Sequence, residues 1–279
     1  MTQFSVLLPV YAGDQAPFLA RAFASATVDQ ELQPDEVVIV QDGPVGAEVA
    51  AELRAISEDP RVRLVRLERN VGLARALEEG LARCSHEIVA RVDADDVSLP
   101  ARFATQVPLV AGGLDLVGSA LREFEADEAH PGALRVLPTQ QAEIARYARF
   151  ADPFNHPTVV YRREAVRRAG GYEDLPLMED YLLFARMIGT GARVANVAEP
   201  LVLYRTGAGA YARRGGRTLL ASELELQRRL RADGFTTRAQ HLRNVVVRGG
   251  YRLVPVGLRR WAYRTLLLGR QQQRARSAA

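Results

Sequence analysis

Within about its first 110 residues this chain switches four times between a short apolar run and a helical repeat, and that alternation leaves few folds open. Phe4-Ser-Val-Leu-Leu-Pro-Val is an almost unbroken apolar run, the pattern of a strand buried on both faces. Phe18, Leu19, Ala22, Phe23 and Ala26 follow at helical spacing. Glu36-Val-Val-Ile-Val-Gln predicts a second strand, and 47–56 a helix. Val62-Arg-Leu-Val-Arg-Leu alternates, so the third strand is expected at a more exposed position. Leu73, Leu77 and Leu81 mark another helix, and His86-Glu-Ile-Val-Ala-Arg-Val a fourth strand. Ser98 reads as the N-cap of the next helix, with Pro100 in its first turn. Successive βα units predict an α/β fold: a mostly parallel, Rossmann-like sheet flanked by helices. The later pattern is mixed, with strands expected at 115–120 and 200–204, helices at 140–149 and 179–188, and a loop at 152–157.

Charge divides the chain more sharply than its net value of +4 suggests. All the Lys and Arg are arginine; 17 lie between Arg205 and Ala279 against three acids, which leaves +14 there and −10 in residues 1–204. A basic, helix-patterned tail on an acidic body points to a polyanionic partner, an anionic membrane surface before nucleic acid, because no nucleic-acid motif accompanies it. Trp261, among Arg259, Arg260 and Arg264, fits either an interfacial anchor or a core residue of the tail. The N-terminus lacks a basic leader and no apolar run reaches membrane-span length, so the expectation is a cytoplasmic protein, peripheral at the inner face of the plasma membrane. Cys84, the single cysteine, excludes a disulfide framework and reads as packing.

Ligands of parallel α/β sheets bind outside the carboxyl ends of the strands. Two acidic clusters fall there, Gln41-Asp42-Gly43-Pro44 after the second strand and Asp93-Ala-Asp-Asp96 after the fourth. Asp is common in turns and caps, but three acids within four residues repel one another unless a cation is present. Hard oxygen donors suit Mg²⁺ or Mn²⁺, which would bridge the phosphates of a diphosphate.

In order and spacing, Ser5-Val-Leu-Leu-Pro-Val-Tyr11, Gln41-Asp-Gly-Pro, Arg69-Asn-Val-Gly-Leu-Ala and Arg91-Val-Asp-Ala-Asp-Asp-Val-Ser-Leu-Pro-Ala-Arg-Phe103 resemble family 2 glycosyltransferases. Phe154-Asn-His-Pro-Thr, Ala169-Gly-Gly-Tyr, Met178-Glu-Asp-Tyr-Leu-Leu-Phe-Ala-Arg and Arg213-Arg-Gly-Gly resemble the subgroup that builds bacterial capsule, O-antigen and exopolysaccharide, so that the match spans about 4–216. The resemblance implies an inverting, metal-dependent enzyme of the GT-A fold and a nucleotide-sugar donor, a UDP-sugar foremost. It implies a glycan or polyprenyl-linked acceptor. Carried onto this chain, it places Tyr11 against the base and Asp42 in hydrogen bond with it, with Pro9 and Asn70 on the same donor side. Asp93 would contact the ribose or share the metal with Asp95, and Asp180 would be the general base, with Glu179 beside it as the second candidate. Family members often have a second acid where this chain has Gln41.

The residues themselves also admit plainer readings. An acid at 179 or 180 suits a helix N-terminus whatever its chemistry. His156, in a loop between two prolines, is expected to be exposed to the cleft and to touch the acceptor or a phosphate, or to be a satisfied loop histidine. Arg213 and Arg214 precede two glycines and would close over the diphosphate, or belong to the basic tail. A sugar nucleotidyltransferase is the enzymatic alternative, but Val10-Tyr-Ala-Gly-Asp-Gln-Ala-Pro lacks its basic glycine-rich loop. A non-catalytic nucleotide-sugar binder is the other. The expected organisation is a GT-A domain at 1–215, with a nucleotide-sugar half at 1–113 and an acceptor half at 114–215, followed by a basic helical tail at 216–279. A homodimer is compatible with it.

Overall fold

In the computed structural model, which describes residues 2–206 and 217–250, the apolar run at the amino end becomes the middle of a sheet. It forms β1 (Phe4–Tyr11) and is followed by α1 (Ala16–Ser25), β2 (Glu36–Asp42), α2 (Ala47–Ile56), β3 (Val62–Arg66), α3 (Leu73–Leu81) and β4 (Ile88–Arg91). These strands pair in parallel in the order β3-β2-β1-β4. β3 is the edge, which accounts for its half-exposed alternation.

The two-residue period of β1 separates two cores. Val6 and Leu8 point to one face with Ile39, Leu53 and Phe103, while Leu7 points to the other with Val40, Leu77 and Phe184. A strand that must be apolar on both sides has no room for alternation, and β1 shows none.

The second half extends the same sheet. β5 (Val97–Ser98), α4 (Arg102–Ala111), β6 (Leu116–Phe124), β7 (Leu134–Arg135), α5 (Gln141–Tyr147), β8 (Val160–Arg162), α6 (Arg163–Arg168), α7 (Glu179–Gly189) and β9 (Val194–Arg205) complete the order β3-β2-β1-β4-β8-β6-β9-β5, with β7 on β6. β8 runs antiparallel to β4 and to β6, and β5 antiparallel to β9; β6 and β9 are parallel, with a register shift near Ser119 and Ala120.

Ser98 is not an N-cap. It is drawn into the sheet edge opposite Val202, its amide donates to Ser25 Oγ at 3.0 Å, and its hydroxyl accepts from Arg102 Nη1 at 2.8 Å. α4 starts only at Arg102, after Ala101, with no side-chain cap. The fully buried Arg102 guanidinium also donates from Nη2 to the Arg91 carbonyl at 2.6 Å, tying the start of α4 to the end of β4.

The chain divides into two compact units, Met1–Gly207 and Ala208–Ala279. In the second, α8 (Arg217–Ala232) and α9 (Arg238–Asn244) lead into a π-helical turn, Val245–Gly249. Thr237 and Gln240 form a reciprocal capping box at the start of α9. The buried Glu223 takes Arg248 Nε at 2.6 Å and Gln227 Nε2 at 3.0 Å. No helix among the described residues is long and apolar enough to cross a membrane. Arg213, Arg214, Trp261 and the tail from 251 onward lie outside the described residues.

Candidate active site

β2 and β3 lie on one side of β1 and β4 on the other, so the winding direction reverses between β1 and β4. A crevice outside the carboxyl ends of the strands at such a point is where α/β sheets bind ligands. Tyr11 ends β1 there, 43% exposed, two residues beyond the half-buried Pro9. Asp42 ends β2 opposite Tyr11.

Asp42 is buried and already engaged. Its Oδ1 accepts the Val71 amide at 2.7 Å and its Oδ2 the Gly72 amide at 3.0 Å, while Asn70 Nδ2 donates to its carbonyl at 3.3 Å. Gly43 makes the approach of the two loops possible: at φ +82° a Cβ there would lie 2.5 Å from the Asn70 amide nitrogen. Asp42 therefore fixes the Asn70–Gly72 loop, and any contact to a base must use the second lone pairs of its oxygens.

Beyond β4, Asp93, Asp95 and Asp96 each present an oxygen within 4.8 Å of the others. Burial and then Asp93 push the Asp95 carboxyl up to about 6. Burial, then Asp93 and Asp95, hold Asp96 well above the ordinary carboxylate range. Asp96 Oδ1 accepts the Arg205 amide at 2.8 Å, but its buried Oδ2 has no partner among the described residues. Arg205 also donates from Nε to the Asp95 carbonyl at 2.9 Å, its guanidinium stacked on Phe18 and Phe124.

The group that joins these acids to α7 is Arg91, which sequence reasoning did not single out. It is 2% exposed and grips Asp93 through both terminal nitrogens, Nη1 to Oδ2 at 2.7 Å. Burial opposes its charge, but Asp93, then Tyr172, Asp96 and Asp180, more than offset that and raise its pKa. An arginine closing the otherwise apolar strand Ile88-Val-Ala-Arg was a signal open to the sequence.

Glu179 and Asp180 form the first turn of α7. Asp180 Oδ1 accepts the Tyr181 amide at 2.7 Å. Burial raises the Asp180 pKa, while that amide and Arg91 restrain the rise. His156 departs from expectation. It lies in a 3₁₀ turn, His156–Thr158, only 7% exposed, because Tyr172 and Phe184 pack their rings against it at centroid distances of 5.6 and 5.8 Å. Its Nδ1 stands 3.6 Å from Asp180 Oδ2, so it sits behind the α7 acids and not on an open loop. Burial, then Arg91, hold its pKa well below the usual range, and the ring is neutral.

The family model described as glycosyl transferase family 2 matches residues 5–170. The chain belongs to that family. The glycosyltransferase is 35% identical over 263 residues to the amylovoran biosynthesis glycosyltransferase AmsE of Erwinia amylovora, covering 93% of this chain and 97% of that one. It is 30% identical over 267 residues to the UDP-Gal:alpha-D-GlcNAc-diphosphoundecaprenol beta-1,3-galactosyltransferase of Escherichia coli, covering 95% and 96%. Its fold resembles that of the mannosyltransferase PcManGT from Pyrobaculum calidifontis in complex with GDP-Man and Mn²⁺, with a TM-score of 0.65, 17% identity, and coverage of 98% and 80%. These likenesses make it a GT-A glycosyltransferase of polysaccharide biosynthesis.

In this glycosyltransferase Glu179, 7% exposed, is pushed up to about 7 by burial and then by Asp180. The folded state therefore keeps a proton that the unfolded chain releases above the ordinary 4.5, and stability contributed by this group is lost as pH rises from about 4.5 to 7. Glu179→Gln has no such proton to lose. Urea denaturation should find it more stable than wild type above pH 7, by up to about 3 kcal/mol, and no more stable below pH 4.5. An equal difference at both pH values would show that the buried charge is not the cause.

Proposed function

We propose that this chain transfers a sugar, with inversion, from a UDP-sugar to a hydroxyl of a polyprenyl-linked glycan, using Asp180 as general base. The observation that carries this reading is geometric: Asp93, Asp95 and Asp96 gather at the end of β4, Arg91 grips Asp93 there, and Asp180 stands in the first turn of α7 with its charge favoured by the same arginine. A donor held over the strand ends would thus have a carboxylate on the acceptor side. Asp180 takes the proton of the acceptor hydroxyl as its oxygen attacks the anomeric carbon from the face opposite the departing UDP. A single displacement of that kind inverts the centre. The raised Asp180 pKa makes it a stronger base than an ordinary carboxylate, and Arg91 favours its charged form.

On the donor side the reading gives Tyr11 and Asp42 to the base, with Pro9 and Asn70 lining the same edge, and Arg213 and Arg214 to the diphosphate. Asp95 and Asp93 would hold a divalent cation, Mn²⁺ or Mg²⁺. An all-oxygen donor set and the orphaned buried Oδ2 of Asp96 fit a hard ion. When bound, it neutralises charge on the leaving diphosphate. Support for UDP and a lipid-diphosphate acceptor comes from the name of the Escherichia coli relative, and for Mn²⁺ from the Pyrobaculum neighbour. An acceptor of that kind would place the enzyme at the inner face of the plasma membrane, held there by its basic tail.

Asp180→Asn keeps the shape but cannot accept the proton. With UDP-galactose and an α-GlcNAc-diphosphate lipid, its rate should drop by about 10²–10⁴-fold while UDP affinity stays near wild type. A near-wild-type rate would move the base elsewhere, Glu179 first. Excess EDTA should abolish UDP release and Mn²⁺ should restore it; full activity in EDTA would remove the cation from the scheme.

Residues 205–279 carry +14, and polybasic segments gain about 1 kcal/mol per arginine close to an anionic surface. The full chain should float with anionic liposomes at low salt and release at high salt, and a chain ending near Ser222 should not. Binding indifferent to lipid charge or to the tail would remove the membrane partner.

A further inference from the structure

We propose that His156 is the positioning residue of the base: a buried imidazole, engaged by Tyr172 at Nε2, whose Nδ1–H is held toward Asp180 Oδ2 by the charge of that carboxylate. This rests on the reading of Asp180 as general base.

A buried neutral imidazole has one N–H and one bare nitrogen, and its partners decide which is which. Here Nε2 lies 2.9 Å from the Tyr172 hydroxyl, and Nδ1 lies 3.6 Å from Asp180 Oδ2. Burial, then Tyr161, hold the Tyr172 phenol well above its ordinary pKa, so it keeps its proton, for which the Tyr161 oxygen and Nε2 compete as acceptors. If Nε2 carried the imidazole proton, the bare Nδ1 lone pair would face a carboxylate oxygen, and the two would repel. With the phenol donating to Nε2, the N–H dipole on Nδ1 points at the negative charge. Electrostatics selects the second arrangement.

The phenol is itself fixed. Tyr172 N donates to Glu78 Oε1 at 2.6 Å, across from α3. Gly171, at φ +74°, passes so close that a Cβ there would meet the same Glu78 oxygen at 2.7 Å. These contacts hold the backbone of the Ala169-Gly-Gly-Tyr segment, from which the Tyr172 hydroxyl meets His156 Nε2 at 2.9 Å. The consequence falls on Asp180. Its Oδ1 is held by the Tyr181 amide and its Oδ2 faces the imidazole N–H, so both oxygens are backed and the remaining lone pairs are left for the acceptor hydroxyl. At 3.6 Å the imidazole contact is longer than a hydrogen bond, so His156 acts on Oδ2 through the direction of its N–H dipole. His156 neither takes nor gives the acceptor proton; it sets the orientation of the group that does.

The tautomer can be read without any substrate. Full-length protein labelled with ¹⁵N-histidine contains four imidazoles, and His156→Gln identifies the signals of this one. The expected pattern is a protonated Nδ1 and a bare Nε2, shifting toward Nε2–H in Asp180→Ala, which removes the charge that selects it. An Nε2–H tautomer in the wild type, or a pattern indifferent to Asp180→Ala, overturns the proposal. In UDP release from UDP-galactose with an α-GlcNAc-diphosphate lipid, His156→Leu should lose on the order of 10- to 100-fold in kcat, as orienting partners do, with UDP affinity and donor KM unchanged. His156→Asn, whose amide can still donate toward Oδ2, should recover part of the loss and guards against a leucine variant that does not fold. Equal kcat in Leu and Asn variants, or wild-type kcat in both, also overturns it. An active Asp180→Asn would sink the base reading instead, a result distinct from any of these.

Discussion

One buried guanidinium makes the chemistry of this fold tolerable. Asp93, Asp95, Asp96, Glu179 and Asp180 crowd the carboxyl ends of the parallel strands, and four of the five are raised in pKa chiefly by burial. Arg91 lowers the cost of ionising each of those four and is itself kept charged by Asp93, Tyr172, Asp96 and Asp180. A buried charge pair need not add stability over apolar packing, but removing one member leaves the other uncompensated. Removing the arginine would leave each of these acids costlier to ionise. Its own carbonyl is held by Arg102, so the start of α4, the end of β4 and the acid cluster behave as one block.

Against that block, the ends of β1 and β2 are tied by backbone. Asp42 spends both oxygens on the amides of Val71 and Gly72, and Gly43 lets the two loops touch. Two segments of sequence far apart are fixed to each other beside the exposed Tyr11. The rigid part of the crevice therefore comes from β1, β2 and β4, whose positions follow from a core packed on both faces of the sheet.

Legibility in the sequence tracks this difference. Helices at 47–56 and 73–81 were readable to the residue because three apolar positions per helix repeat on one face. β5, β7, β8 and α6 were not, since elements of two to six residues are too short to display a period. β9 was read only at its apolar end because Glu199 and Pro200 interrupt the pattern, while pairing with β6 carries the strand across them. The clustered acids were legible because charge repulsion is a local signal. His156 was misplaced for the opposite reason: two flanking prolines look like surface loop, and the rings that bury it come from Tyr172 and Phe184, on elements no local window contains. Arg91 and Arg102 were missed because a charged residue is expected outside, and only the tertiary structure supplies its partners.

The two neighbouring acids of α7 show how the same backbone can serve two roles. Both take the favourable dipole at a helix start, so position alone does not distinguish them. Their surroundings do. Glu179 turns into the protein, where burial and the neighbouring charge drive it toward the neutral acid. Burial raises Asp180 as well, but the Tyr181 amide on Oδ1 and then Arg91 favour its anion, and His156 Nδ1 stands 3.6 Å from Oδ2. Burial raises both carboxyls, Glu179 to about 7, and Arg91 favours the charged form of each.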